Sequence, residues 1–173
     1  MSDVLKKEII IPNEVKVSDN GGFYSVSGKF GNVNVVANKN VDVLVGDKVV
    51  VSSEHNNKQY LQTICSLIRQ AVADVNNGVV SNLKMVGVGF KASVNGKFLN
   101  LYVGNSHDIV FLIPEGVKVQ CTSETQISVS GCDREKVNSF VNYVRSVKKP
   151  EPYKGKGIFL NNEVVVRKSG KKK

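Results

Sequence analysis

The stretch KMVGVGFKASVNGKFLNLYV, Lys84 to Val103, decides the fold. From Lys84 to Val94 apolar side chains alternate with polar or small ones, and a repeat of two lays one face of an extended chain on a core and the other in water. Asn95-Gly96 then supplies the two residues of a hairpin turn, so Lys97 to Val103 return as an antiparallel partner. A second hairpin follows, in which Val117, Val119 and Cys121 face Ile127 and Val129 across a turn near Ser123 and Glu124. Asp133 next offers an N-cap to a helix with the stripe Val137, Phe140, Val141 and Val144, and Pro150 stands beyond its end. Strands followed by one helix describe an antiparallel sheet whose apolar face the helix covers.

The same order occurs upstream. Val15 and Val17, Tyr24 and Val26, and Val33 and Val35 fall into short alternating runs. After Val49 to Val51 the period changes, because Leu61, Ile64, Cys65, Ile68, Val72 and Val75 recur at three and four residue spacing, the mark of an amphipathic helix. Asn76-Asn77-Gly78 ends it. The expected fold class is therefore α+β, with two similar domains at residues 1–78 and 79–149, and a basic arm over 150–173. Two words repeat, IIPNEVKV (Ile10 to Val17) as LIPEGVKV (Leu112 to Val119), and YSVSG (Tyr24 to Gly28) as ISVSG (Ile127 to Gly131). Their offset of 102 to 103 differs from the 76 that superposes Arg69 on Arg145 in the helices, so duplication rests on element order, and shared hairpin chemistry explains the words.

With 173 residues, 41% hydrophobic and 23% charged, the composition is that of an ordinary globular chain. The sequence has no apolar run of 18 residues, and Met1 to Glu8 lacks the apolar core of a secretory signal, so a soluble, intracellular protein is expected. Three cysteines, Cys65, Cys121 and Cys132, make neither a disulfide framework nor a zinc site, and are expected as buried free thiols. The charge is uneven: Arg145 to Lys173 hold ten basic and two acidic residues, which is +8 of the net +9, while residues 1–144 hold 14 and 13. A polyanion would bind that basic end. By charge alone, a solvated tail or an anionic membrane surface stays open beside nucleic acid.

Sites of chemistry fail one by one. Gly87-Val88-Gly89-Phe90 has Ala92 where a dinucleotide fingerprint needs its third glycine, and it leads into a strand instead of a helix. Gly96-Lys97 is followed by Phe98 where a P-loop needs Ser or Thr. Ser106, His107 and Asp108 are chain neighbours that cannot take relay geometry, and His55 sits far from any cysteine or acid cluster and is expected at a helix entry. The reading is of a protein that is not an enzyme and takes no cofactor, metal or small-molecule substrate. Its alternatives are an RNA-modifying or RNA-processing enzyme, for which no general base, nucleophile or metal site is found, and a protein held on membrane surfaces by its basic tail.

PEPYKGKG, Pro150 to Gly157, remains. Two prolines fix φ, remove amide hydrogens and disfavour helix before them, so the chain is expected to leave the helix as an extended, projecting arm. Tyr153 offers a face for stacking, and Lys154 and Lys156 alternate with glycines that would admit phosphates. The candidate RNA-binding residues are Lys91, Arg145, Lys148, Lys149, Pro150, Tyr153, Lys154, Gly155, Lys156, Gly157, Arg167, Lys168 and Lys171.

These residues resemble the bacterial-type large-subunit ribosomal protein six family, through MVGVGFKA (Met85 to Ala92), NLYVGNSH (Asn100 to His107), LIPEGVKV and PEPYKGKGI (Pro150 to Ile158). LKKEIIIP (Leu5 to Pro12) is similar to the family's opening, with Glu8 where a proline is usual, and VSGKFGNV (Val26 to Val33) lacks the usual proline and one lysine. The resemblance implies a duplicated two-domain protein bound to 23S rRNA near the stalk base and the sarcin-ricin loop. It also implies neighbouring large-subunit proteins, translation factors nearby, and a cytoplasmic location on the ribosome, an organellar one remaining open.

Overall fold

The computed structural model describes residues 4–36, 41–46, 48–54, 58–161 and 163–169. His55 and Lys171 lie outside them. The chain divides into two compact units, Met1–Gly78 and Val79–Lys173.

In the first unit the strands are β1 (Val4–Ile10), β2 (Lys16–Asp19), β3 (Phe23–Gly28), β4 (Gly31–Val36), β5 (Asp42–Val45) and β6 (Lys48–Glu54), followed by helix α1 (Lys58–Asn77). They form two antiparallel sheets of order β1-β6-β5 and β2-β3-β4. Register places apolar residues opposite one another, Ile9 against Val49 and Val26 against both Val17 and Val33. The stripe Leu61, Ile64, Cys65, Ile68, Val72 and Val75 is buried as its spacing requires, and Gly78 N–H closes the helix on Asp74 O at 2.8 Å. Burial of each large aliphatic side chain contributes roughly 1.5–3 kcal/mol, so this stripe is the main hold on α1.

The second unit contains β7 (Val79–Val86), β8 (Lys91–Asn95), β9 (Phe98–Tyr102), β10 (Ile109–Leu112), β11 (Val117–Ser123), β12 (Gln126–Gly131), α2 (Arg134–Ser146) and β13 (Gly157–Leu160). Its antiparallel sheets have the orders β10-β9-β8 and β11-β12-β7-β13. Position for position, β7 matches β1, β8–β10 match β2–β4, β11 and β12 match β5 and β6, and α2 matches α1. Among the described residues, only β13 has no counterpart. The α+β reading thus holds, with two sheets in each unit where a single sheet was expected.

Three local readings change. Alternation from Lys84 to Val94 suggests one strand, but β7 ends at Val86 and β8 starts at Lys91 in the other sheet, with a turn between them in which Phe90 N–H donates to Gly87 O at 3.3 Å and the Phe90 ring is buried. The sequence pattern runs on through Val88, but Val88 is exposed, and burial passes from the odd positions Leu83 and Met85 to the even positions Phe90 and Ala92 across the turn. The hairpin turn also moves by one residue: Asn95 pairs with Phe98, so the loop is Gly96-Lys97. Gly96 has φ +58° and Lys97 a negative φ, the pattern of a turn with glycine at its first central position. Of the thiols, Cys65 is buried, whereas Cys121, on an edge strand, and Cys132, before α2, are half-buried; none is in a disulfide.

The repeated words occupy inequivalent places, IIPNEVKV joining β1 to β2 and LIPEGVKV joining β10 to β11. What they share is a turn, since Val15 N–H donates to Pro12 O at 3.0 Å and Val117 N–H to Pro114 O at 3.2 Å. At α2 the cap is as read: one Asp133 carboxylate oxygen accepts from Glu135 N–H and Lys136 N–H at 3.0 and 3.4 Å.

Candidate nucleic-acid interface

Where α2 ends, the chain does not project. Glu151 N–H donates to Lys156 O at 2.8 Å and Gly155 N–H to Glu151 O at 3.1 Å, which closes residues 151–156 into a turn. Ile158 N–H then donates to Lys148 O at 2.9 Å, and β13 pairs antiparallel with β7, Ile158 opposite Met85 and Leu160 opposite Leu83. As expected, Pro150 stands beyond the end of α2, which closes at Ser146 with Val147 as its cap. The extended arm is corrected to a folded loop, because β7 otherwise leaves an unpaired row of N–H and C=O groups that β13 satisfies.

The segment after β13 folds back on the loop. Glu163 N–H donates to Leu160 O at 3.0 Å, and Lys168 N–H to Pro152 O at 2.9 Å. Glu163 is held by Arg145 of α2, which donates from Nε to Oε2 at 2.9 Å and from Nη2 to Oε1. That pairing holds the Glu163 carboxyl below the usual carboxylate range, and Leu160 N–H adds to it at 3.2 Å; the same hydrogen bond raises Arg145. Arg145 is therefore a clamp on the C-terminal segment and not an open cation. Glu163 was missed in the sequence, although as the only acid between Pro152 and Lys173 it was marked out by its isolation in a basic run.

The glycines have a packing role that spacing alone did not show. Gly155 and Gly157 are buried. A Cβ at Gly157, where φ is +146°, would lie 2.7 Å from Pro150 Cα and 2.8 Å from Lys149 O. Their missing side chains let the loop pack on itself.

The loop and the segment folded back on it carry exposed Lys148, Lys149, Lys154, Lys156, Arg167 and Lys168 together with exposed Tyr153, with Glu151 the one exposed acid among them. Backbone hydrogen bonds through Lys148, Pro152, Lys156 and Lys168 fix their spacing. Cations on an ordered frame lose less conformational freedom on meeting an anion than cations on a free tail. Lys91 is not brought into this group: it sits on β8 with Glu124 3.4 Å away.

The family model described as Ribosomal protein L6 matches residues 86–159. The chain is 40% identical over 177 residues to the large ribosomal subunit protein uL6 of Rhodospirillum centenum, covering all of both chains. It is 39% identical to that of Malacoplasma penetrans, covering 99% of this chain and 96% of that protein, and 36% identical, over all of both chains, to that of Methylocella silvestris.

Proposed function

The chain belongs to the ribosomal protein L6 family, and on that footing we propose that it is a structural constituent of the large ribosomal subunit whose second unit binds 23S rRNA. The family is structural, not enzymatic. The proposed contact is near the stalk base and the sarcin-ricin loop, beside neighbouring large-subunit proteins and where translation factors dock, on cytoplasmic ribosomes. The observation that carries the reading is the ordered loop after α2 and the segment hydrogen-bonded to it, which together carry six exposed cations and an exposed tyrosine. Phosphates take the lysines and Arg167, and Tyr153 offers its ring to a base or sugar. Residues 1–78 carry eight basic and eight acidic side chains, so the electrostatic part of binding belongs to the second unit.

Filter binding of the full chain to 23S rRNA across a salt series tests this. Each phosphate neutralised contributes a log–log slope of about 0.7–0.9, so engagement of most of the six cations yields a slope of roughly 4. A slope near zero, or absence of the protein from sedimenting large subunits, overturns the reading.

A further inference from the structure

The sheet β11-β12-β7-β13 packs one face against α2 and turns the other away from it, and the outward face has an unusual chemistry. Across its rows, Lys118 pairs with Ser130 and Ser130 with Val80; Gln120 pairs with Ser128 and Ser128 with Asn82; Gln126 pairs with Lys84 and Lys84 with Phe159. None of the four strands contains Asp or Glu. By contrast, the sheet β1-β6-β5 carries Lys6, Glu8, Asp42 and Lys48 on strands of the same kind, with Lys48 Nζ 3.1 Å from Glu8. Among the described residues, the side chains of Asn82, Gln120, Gln126 and Ser128 make no hydrogen bond within the chain, so their donors and acceptors all face outward.

We propose that this acid-free face is a second RNA contact, which takes the ribose edge of an RNA segment continuous with the one held at the basic loop. It rests on the function proposed above. Two observations select the occupant. The face carries Lys84 and Lys118 with no acid to repel a polyanion, and its neutral amides and hydroxyls both donate and accept, as a ribose 2′-hydroxyl does. It is also continuous with the loop: β13 follows Lys156 directly and lays half-buried Phe159 on the face beside Lys84. The wide, shallow minor groove of an RNA helix, lined by 2′-hydroxyls, offers partners to a polar sheet face, whereas a DNA groove lacks those hydroxyls.

The two contacts have different signatures, because lysine–phosphate contacts release counterions and neutral hydrogen bonds do not. The full chain with Asn82→Ala, Gln126→Ala and Ser128→Ala is titrated by filter binding against 23S rRNA and a DNA of the same sequence across the salt series. We expect roughly tenfold weaker RNA binding at an unchanged salt slope, with a smaller preference for RNA over DNA. Ser128→Glu, which keeps the strand polar and puts an acid at the centre of the face, is expected to weaken binding at least as much; circular dichroism checks that both variants fold. If wild type binds RNA with the expected slope and both folded variants match it, the face is merely solvated and the inference fails while the loop reading stands. If wild type itself shows no salt-dependent RNA binding, the reading beneath the inference fails.

Discussion

Adding one methyl group at Gly157 tests whether the basic loop is an ordered frame or a charged tail. The backbone there has φ +146°, a region in which an L side chain is strained, and the new Cβ would lie 2.7 Å from Pro150 Cα and 2.8 Å from Lys149 O and Pro150 N. Those are backbone atoms, so no rotamer change relieves the contact. The conformational strain costs about 1–3 kcal/mol and the overpacking about 1–3 kcal/mol, so Gly157→Ala is expected to destabilise the second unit by about 2–6 kcal/mol. Gly155→Ala is the control: φ is +68°, but the nearest atom is Arg167 Nη2 at 3.0 Å, the end of a side chain that can swing aside, so only the backbone cost of about 1–2 kcal/mol remains. Hydrogen exchange reads the difference at the Ile158 amide, which donates to Lys148 O, and at the Asn161 amide, which donates to Asn82 O. A loss of 3 kcal/mol in local opening corresponds to roughly a 150-fold faster exchange at both. RNA affinity falls in the same variant with every cation still present. Exchange within about twofold of wild type, or a larger effect at Gly155, would refute the packed-loop account.

Lys154→Ala with Lys156→Ala is expected to weaken 23S rRNA binding and lower the salt slope by up to about two contacts' worth, measured by filter binding. Glu163→Gln loses the Arg145 pairing and about 1 kcal/mol of stability near neutral pH, since the side chains are 19% and 28% exposed. Because the folded protein holds the Glu163 carboxyl below its ordinary value of 4.5, the pairing stabilises the fold above that pH and is lost as pH falls through the lowered value. Urea midpoints of wild type and Glu163→Gln therefore differ at pH 7 and converge in acid, and a constant difference contradicts the assignment. Asp133→Ala removes the acceptor for the Glu135 and Lys136 amides and is expected to cost about 1 kcal/mol in the same assay.

The α+β class, both helices, the Asp133 cap and the end of α2 ahead of Pro150 were legible because each depends on residues within a turn or two of one another. A stripe at three and four residue spacing buries one side of a helix wherever the helix docks, and proline removes its amide hydrogen in any context. The basic character of the C-terminal end was equally plain, because charge is a property of composition. Alternation alone could not say which strands pair, and so it ran through the turn at Gly87 and missed the division of each unit into two sheets. The same limit made PEPYKGKG read as a projecting arm. Only the folded unit shows that β7 has a free edge for Gly157–Leu160 to complete, that Lys148, Lys156 and Lys168 are drawn together by the bonds of the closing loop, and that Arg145 meets Glu163 across 18 residues of chain. Those contacts join residues with no fixed spacing in sequence, and their geometry exists only once the second unit's sheet has formed.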